Sequence, residues 1–363
     1  MELKILTDEK RPKYLEIIDF IINYIQSKNL NPGDKILSEN EISKLFRVTK
    51  VTASRALNEL VNEGILYRIQ GKGSFFAGFK KEVSNVLVFL PIASYYDPYF
   101  TGPLLDTFFH SIDSNGLNLS MNYFKDNEKI TEIPNLENCK VIVIAAFRKG
   151  EGLSENLFNK LNIPVIYLSS HPEVPVSYIA FDNKNGAKNA VEYLIKVGHR
   201  KIAYFSAGDK QNISNEERKE SYIEALEENR IKEKMILLKE DYTEESGYKM
   251  AKEILKMKNR PSAILCANDL IAVGATHCFV EEGVKVPDDI SIIGFGNYKI
   301  SKFARIPLTT VSLPVEEMGK KLAELVMKKS GEKKSSIENE KIILPTELII
   351  RKSVKERSQV CVF

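Results

Sequence analysis

Residues 37–76 read LSENEISKLFRVTKVTASRALNELVNEGILYRIQGKGSFF, and they decide the class of the amino-terminal part of the chain. Ser38 and Glu41 form the S-x-x-E pattern of a capping box, which predicts a helix beginning near Glu39. The apolar residues of this helix recur at helical spacing: Ile42, Leu45 and Phe46. The pattern therefore predicts a short amphipathic helix with one apolar stripe.

A second helix is predicted after the turn Arg47-Val48-Thr49, with Thr49 as its cap and Gly64 as its stop. Four apolar residues give this helix a buried face: Ala53, Ala56, Leu57 and Leu60. The opposite face carries short polar and cationic side chains: Lys50, Thr52, Ser54, Arg55 and Asn58. Such groups reach phosphates and base edges when a helix lies in a major groove.

Two short strand-like runs follow at residues 65–69 and 74–77, joined by the turn Gln70-Gly71-Lys72-Gly73. A hairpin with a cationic, glycine-rich tip has the shape of a wing. The Gly-x-Gly motif could also indicate a nucleotide loop, but it joins two strands and opens no helix. A helix-turn-helix is also an ordinary way to pack three helices, so the DNA-binding interpretation depends on the wing and on charge as well.

The charge of the chain is unevenly distributed. Residues 1–80 hold 13 Lys and Arg against 10 Asp and Glu, whereas the remaining residues hold 39 of each. The whole positive excess of the 363-residue chain, +3, therefore lies in the segment with the helix-turn-helix, as a polyanion-binding module requires. Because this excess is modest, we expect tight DNA binding to need a homodimer.

Residues 14–77 resemble the DNA-binding domain of the GntR family of bacterial regulators. The matching motifs surround the predicted helices: Pro32-Gly33-Asp34-Lys35, Ser38-Glu39, Leu60-Val61-Asn62-Glu63-Gly64 and Gly71-Lys72-Gly73-Ser74. The resemblance implies that residues 1–77 are a winged helix-turn-helix domain that binds double-stranded operator DNA. The residues predicted to contact that DNA are Ser38, Glu39, Lys50, Thr52, Ser54, Arg55, Gly71, Lys72 and Gly73.

Several positions depart from the GntR pattern. Leu37 stands where the family usually has Pro, Asn40 where Arg is common, and Arg47 where Gly is usual. The family's second Arg in the reading helix falls on Ser54, with Arg55 one place later, and this helix resembles its equivalent in the LacI family. The operator sequence therefore cannot be taken from either family.

Beyond a charged linker at residues 78–85 (GFKKEVSN), residues 86–354 alternate apolar strand-like runs with amphipathic helices. The first series of strands is predicted at 86–91, 117–123, 141–146 and 165–168. A second cycle is predicted to open at 178–182 and to continue at 201–205, 235–238, 263–267 and 291–294. Near-continuous apolar strands separated by helices indicate parallel sheets covered on both faces, so the fold class is α/β with two successive βαβ sheets. Residues 355–363 are predicted to be a tail.

Residues 86–353 resemble the effector-binding domain of LacI/GalR regulators, which share the type I periplasmic sugar-binding fold. The motifs that carry the resemblance are Phe181-Asp182-Asn183, Gly198-His199-Arg200-Lys201-Ile202-Ala203, Ala267-Asn268-Asp269, Val286-Pro287-Asp288-Asp289-Ile290 and Pro307-Leu308-Thr309-Thr310-Val311. The resemblance implies two lobes with an effector between them. A GntR-type winged helix joined to such a sensor is similar to the arabinose-responsive repressors. The LacI hinge helix has no counterpart between Ala77 and Val86, so we expect a flexible linker.

The predicted pocket lies at strand ends, where open α/β sheets bind ligands. Sugar pockets pair aromatic rings with planar polar groups, and the resemblance gives Arg218 the position of the ligand-clamping arginine. The predicted effector-binding residues are Tyr96, Tyr99, Phe100, Phe147, Arg218, Tyr242, Asn268, Asp269 and Asn297. Gly296 replaces the family's hydroxyl-binding Asp, which removes a charge-assisted hydrogen bond. The ligand could therefore be another sugar or a non-sugar.

Other function classes lack their motifs. The histidines and the four cysteines show no metal-ligand spacing, His199 is interpreted as a structural cap, and no nucleophile elbow, cofactor motif or catalytic site is present. Residues 1–13 form no signal peptide and no window is long enough to span a membrane. The chain is therefore predicted to be a cytoplasmic repressor of carbohydrate-utilisation genes, released by L-arabinose or a related pentose. The alternatives are a sensor of another ligand or an α/β sugar-modifying enzyme.

Overall fold

A computed structural model describes residues 12–78, 84–92, 99–113, 117–133, 136, 138–168, 172–208, 211–239, 241–331 and 338–357. The chain divides into two compact units, Met1–Val83 and Ser84–Phe363. Most of the predicted linker (residues 79–83) and Tyr96 lie outside the described residues. No helix in the described part of the chain is long and apolar enough to cross a membrane.

The amino-terminal unit is a three-helix domain with a hairpin: α1 (Lys13–Ser27), α2 (Glu39–Phe46), α3 (Lys50–Asn62), β1 (Leu66–Ile69) and β2 (Gly73–Phe76). Both predicted caps are present, because Ser38 and Glu41 form the capping box of α2 and the Thr49 side chain caps α3. The two strands pair antiparallel, with Leu66 opposite Phe76. The core is formed by apolar residues from all five elements, among them Ile17, Ile21, Ile42, Leu57, Leu60, Leu66 and Phe76.

The predicted stripe of α2 is wrong at one residue. Ile42 is fully buried and Phe46 packs edge-to-face on Phe20 at 5.1 Å, but Leu45 is 57% exposed. An eight-residue helix that contacts its neighbours through Ile42 and Phe46 rotates the intervening Leu45 away from the core.

The first lobe of the second unit contains one parallel sheet in the order β15-β9-β8-β6-β3-β4. Its strands are β3 (Ser84–Pro91), β4 (Leu117–Phe124), β6 (Cys139–Ala145), β8 (Val165–Leu168), β9 (Ser177–Phe181) and β15 (Lys341–Leu344). Two short strands, β5 (Lys129–Ile130) and β7 (Gly152–Leu153), pair beside it. Its helices are α4 (Thr101–Asp113), α5 (Glu155–Lys160) and α11 (Val315–Ser330). The first strand thus begins two residues before the predicted start.

The second lobe contains a sheet in the order β11-β10-β12-β13-β14-β16, in which only the pairing of β16 with β14 is antiparallel. Its strands are β10 (Ile202–Ala207), β11 (Met235–Lys239), β12 (Ala263–Cys266), β13 (Ser291–Gly296), β14 (Thr309–Ser312) and β16 (Glu347–Ile349). Its helices are α6 (Asn183–Lys196), α7 (Ile213–Glu228), α8 (Glu244–Leu255), α9 (Asp269–Glu281) and α10 (Lys299–Phe303).

The assignment of strands to sheets corrects the sequence analysis. The run at 178–182, predicted to open the second sheet, is β9 and pairs with β8 and β15 in the first. The chain crosses between the lobes three times, after β9, after β14 and after β15. Apolar periodicity identifies a buried strand but does not record which neighbour it pairs with.

Two of these crossings, after β9 and after β15, contact each other. The Asp182 N–H donates to the Leu344 carbonyl at 2.9 Å, and the Thr346 hydroxyl donates to the Asp182 carbonyl at 3.1 Å. A side chain at Gly186 would place its Cβ 2.6 Å from the Thr346 hydroxyl, so this close approach requires glycine. At the predicted tail, the Arg357 N–H donates to the Val197 carbonyl at 2.8 Å, which attaches residues 355–357 to the second lobe.

Candidate functional site

The exposed face of α3 carries the side chains predicted to read DNA. Lys50, Arg55 and Asn58 are exposed, whereas Thr52 and Ser54 are half-buried. The Arg55 guanidinium lies over the Tyr14 ring, 4.1 Å from its centroid, which restricts its rotamers while leaving it exposed. Such a side chain loses less conformational entropy on binding than a free arginine.

Two of the predicted DNA contacts are already engaged within the domain. The Ser38 hydroxyl donates to the Glu41 carboxylate at 2.6 Å, and this bond holds the pKa of Glu41 below its ordinary value. Glu39 pairs with Arg68 of β1 at 2.9 Å. Ser38 and Glu39 therefore support the start of α2, and Arg68 is a cation near it that sequence analysis did not single out.

The wing turns at two glycines with left-handed backbone, Gly71 at φ 76° and Gly73 at φ 116°. Only glycine adopts these angles without strain, so the tip is built to present Lys72, which is exposed. A Cβ on Gly73 would lie 3.0 Å from the Lys35 side chain. Lys35 is thus a second cation at the wing, although sequence analysis used it only as part of a motif.

An aromatic cluster lies on the first-lobe side of the cleft, at strand ends. The Phe100 ring, which directly precedes α4, packs edge-on against Phe147 at 5.7 Å and against Phe181 at 6.0 Å. Tyr99 stacks on Tyr298, which follows β13 in the other lobe, at 5.3 Å and 16°. The structure therefore brings Tyr99, Phe100 and Phe147 to the cleft and adds Tyr298, which the sequence analysis missed.

Arg218 of α7 is buried and held by three contacts. Its Nε donates to Asn183 Oδ1 at 2.9 Å, its Nη1 donates to the Ala267 carbonyl at 2.6 Å, and the guanidinium lies 3.9 Å from the centroid of the Phe295 ring. Asn183 in turn donates to the Glu217 carboxylate at 2.9 Å. A guanidinium fixed in this way at the carboxyl ends of strands can donate to a ligand with little further loss of side-chain conformational entropy.

Asn268 and Asp269 support the second lobe from inside. Asn268 caps α9, since its Oδ1 accepts from the Ile271 N–H at 2.9 Å, and its Nδ2 donates to the Tyr242 carbonyl at 3.1 Å. Asp269 is fully buried and accepts from the Thr310 hydroxyl and the Tyr298 N–H, each at 2.6 Å. Burial raises the pKa of Asp269 to about 6. Asp269 therefore positions the segment after β13 and does not reach the cleft surface.

The backbone at the end of β13 has two consecutive residues with positive φ, Gly296 and Asn297. Asn297 has φ 56°, donates to the Ser312 hydroxyl at 3.2 Å and accepts from Arg351 at 2.5 Å. Gly296 has φ 128°, and a Cβ there would lie 2.7 Å from the Tyr298 ring. The Tyr298 ring therefore occupies the space that a side chain at position 296 would enter.

A second contact between the lobes lies at the loop after β6. The Lys149 N–H donates to the Gln211 carbonyl at 2.9 Å, and the Ile213 N–H donates to the Phe147 carbonyl at 3.0 Å. Glu151, whose side chain is fully buried, shapes this loop by accepting from the N–H groups of Phe147 at 2.9 Å and Arg148 at 3.0 Å. The sequence alone does not identify Glu151 as a site residue, because its burial depends on tertiary contacts.

A cavity of about 390 Å³ lies between this loop and the start of α7, a size that suits a small ligand. Among its described lining residues, five carry carboxylates and three are cationic. The described lining includes none of the predicted effector-binding residues, and its link to Arg218 is Glu217, which accepts from Asn183. The excess of carboxylates opposes an anionic ligand and leaves hydroxyl acceptors for a neutral one.

A winged helix-turn-helix joined in one chain to a two-lobed domain with a polar, aromatic cleft defines a ligand-responsive DNA-binding regulator. The family model for bacterial regulatory proteins of the gntR family matches residues 13–76, and the one for the periplasmic binding protein-like domain matches residues 191–354. The chain is 30% identical, over 369 residues, to the arabinose metabolism transcriptional repressor of Geobacillus stearothermophilus; the match covers 97% of this chain and 100% of the relative.

Two solved structures share the fold of the second unit. One is a LacI family transcriptional regulator from Enterococcus faecium with bound ribose, at TM-score 0.63 and 21% identity over 76% of this chain and 100% of that one. The other is the lac repressor dimer bound to operator and the anti-inducer ONPF, at TM-score 0.62 and 21% identity over 76% and 95%. The chain belongs to the family of transcriptional repressors that join a GntR-type DNA-binding domain to a LacI-type effector domain, and the relatives and structural neighbours named above are transcriptional regulators.

Proposed function

We propose that the chain is a homodimeric cytoplasmic repressor of carbohydrate-utilisation genes that leaves its operator when a small neutral sugar binds between the lobes. A pentose, with L-arabinose first, is favoured because the Geobacillus relative is named for arabinose metabolism and the Enterococcus regulator holds ribose. The observation that carries this proposal is the fixed, buried guanidinium of Arg218 at the ends of the second-lobe strands.

The described side chains match the chemistry of a sugar. The rings of Phe100 and Phe147 offer apolar faces for C–H groups, and the Arg218 guanidinium donates in a planar fork to adjacent hydroxyls. The five carboxylates line the neighbouring cavity, which is connected to the Arg218 contacts through Glu217, and their charge disfavours a sugar phosphate nearby. A free pentose is therefore proposed ahead of a phosphorylated one.

Release from DNA would follow from closure of the lobes. The hydrogen bonds of Phe147 and Lys149 to residues 211–213 join the lobes beside the cavity, so a ligand that contacts both sides stabilises the closed arrangement. Closure would then change the spacing of the two winged helices of a dimer, whose palindromic half-sites fix that spacing. Such coupling amounts to about 1–3 kcal/mol.

A different ligand is the second candidate, and Gly296 is the observation that favours it. The family's carboxylate is absent there and Tyr298 occupies the neighbouring space. A sugar with fewer hydroxyls on that edge, or a non-sugar with an aromatic or apolar edge, would contact the Tyr298 ring instead.

Two variants separate the ligand and DNA functions. Arg218→Ala should weaken binding of the effector pentose about 10- to 100-fold in calorimetric titrations, the effect of losing charged hydrogen bonds, and leave operator affinity without ligand unchanged. Arg55→Ala should abolish operator binding in a gel shift and keep ligand affinity. Lys258→Ala, at an exposed cation, is the control for both. Absence of heat with L-arabinose, ribose and every other free sugar tested would exclude the carbohydrate proposal, and retained operator affinity in Arg55→Ala would exclude the DNA contact.

A further inference from the structure

The polar face of α3 contains one apolar residue that the DNA-contact predictions do not use. Val51 is 79% exposed, the largest exposed fraction among the large apolar side chains of the described residues. It is the second residue of α3, directly after Lys50. Ser54 and Arg55 follow it by three and four residues, and Asn58 by seven, so all of them share the same side of the helix.

Val51 contributes little to the stability of the fold. The buried face of α3 consists of Ala53, Ala56, Leu57 and Leu60, and Val51 lies outside it. A β-branched residue in a helix loses side-chain freedom, and an exposed isopropyl group gains nothing from burial. Single exposed apolar residues are common on protein surfaces, but Val51 lies in the first turn of α3, and the first turn of a recognition helix is the part that contacts base edges.

We infer that Val51 recognises thymine, by packing its isopropyl group against the C5-methyl group of that base in each operator half-site. This methyl group is the only apolar feature that a base pair presents in the major groove, and apolar side chains are its natural partners. The neighbouring side chains of Lys50 and Arg55 supply the phosphate and hydrogen-bonding contacts that bring α3 into the groove. The inference rests on the proposed DNA-binding function and names one base that it reads.

Selection from a random duplex library with the full chain provides the first test. Wild type should select sites with an invariant thymine in each half-site, and Val51→Ala should select the same sites with that position degenerate. Replacing this thymine by uracil removes only the methyl group. The change should lower wild-type affinity about fourfold, the factor equivalent to about 0.8 kcal/mol for one buried methyl group.

The same replacement should leave the affinity of Val51→Ala unchanged, because its partner group is already gone. Leu45→Ala removes another exposed apolar side chain, on α2, and should keep the full uracil effect. Equal wild-type affinity for thymine and uracil at every position, or a uracil effect that persists in Val51→Ala, would refute the contact while DNA binding stands. If wild type selects no sequence, both the inference and the proposed DNA binding are refuted.

Discussion

Replacing His199 by Gln should change how the stability of the second unit depends on pH. His199 lies between α6 and β10, is fully buried, and has Nδ1 2.9 Å from the Ser262 hydroxyl. Burial, reinforced by the Arg357 charge, lowers the pKa of His199 to about 4 from an ordinary value of 6.5. The folded state therefore excludes a proton that the unfolded state binds between pH 6.5 and 4.

The sign and size of the effect follow from this difference in pKa. Because the unfolded chain binds more protons in that window, His199 does not change the stability of the folded state above pH 6.5. Below pH 6.5 it lowers that stability progressively as the pH falls. Between pH 7.5 and 5 the loss from His199 is about 2 kcal/mol. Asp269 acts in the opposite direction, since its raised pKa, about 6 against 3.8, lets the folded state bind the extra proton. Its contribution to stability over the same interval is a gain of about 1 kcal/mol on acidification.

In the wild type, the gain in stability from Asp269 on acidification thus partly offsets the loss from His199. In His199→Gln the loss is absent and the gain from Asp269 remains. Urea unfolding followed by far-UV circular dichroism should show wild type losing about 2 kcal/mol relative to His199→Gln between pH 7.5 and 5. A difference between wild type and His199→Gln that does not vary with pH would refute the reasoning. The reasoning would also be refuted by an imidazole NMR resonance that is present in wild type, absent in His199→Gln, and titrates with a midpoint near pH 6.5.

Two further variants test the cleft. Gly296→Asp adds a carboxylate where the resemblance expects one, but it places a Cβ on a backbone with φ 128° and against the Tyr298 ring. It should therefore destabilise the protein by about 1–3 kcal/mol in thermal melts without raising affinity for any sugar. Gly102→Asp, at an open position, is the control, and tighter sugar binding by Gly296→Asp would contradict the prediction. Glu151→Gln should destabilise the second unit by about 2 kcal/mol because it weakens charged hydrogen bonds to the Phe147 and Arg148 amides. The exposed Glu155→Gln should change nothing, and equal melting of both variants would disprove the role of Glu151.

Much of the local structure could be predicted because it depends on neighbours in sequence. The capping box at Ser38, the cap at Thr49 and the glycine turns of the wing each involve residues within a few positions of one another. The assignment of β9 to the first sheet could not be predicted, because parallel pairing joins segments far apart in the chain. The prediction that Leu45 belongs to the buried stripe is wrong for a related reason. Helical spacing predicts which residues share a face, but burial depends on which neighbours pack against α2.

The residues of the candidate site also differ in whether the sequence alone identifies them. Arg218 was found through a resemblance, and its neighbours Asn183 and Phe295 are visible only once three separate elements meet. Asp269 and Glu151 are two of the 49 Asp and Glu residues of the chain, and nothing in the sequence distinguishes them from solvated carboxylates. Burial makes them structural supports, and burial is decided by the packed lobes.

The relation between Gly296 and Tyr298 shows how a single departure constrains the ligand. A carboxylate at position 296 and the Tyr298 ring in its present place exclude each other, since the first atom of such a side chain would overlap the ring. The exchange removes a charged acceptor and adds an aromatic face that already stacks on Tyr99 of the opposite lobe. Closure on a ligand therefore has to move or extend that stack. Under the proposed function, recognition at this edge would depend on the shape and apolar surface of the ligand more than on a pair of its hydroxyls. Gly296 and Tyr298 therefore support the second candidate ligand, a sugar with fewer hydroxyls on that edge or a non-sugar.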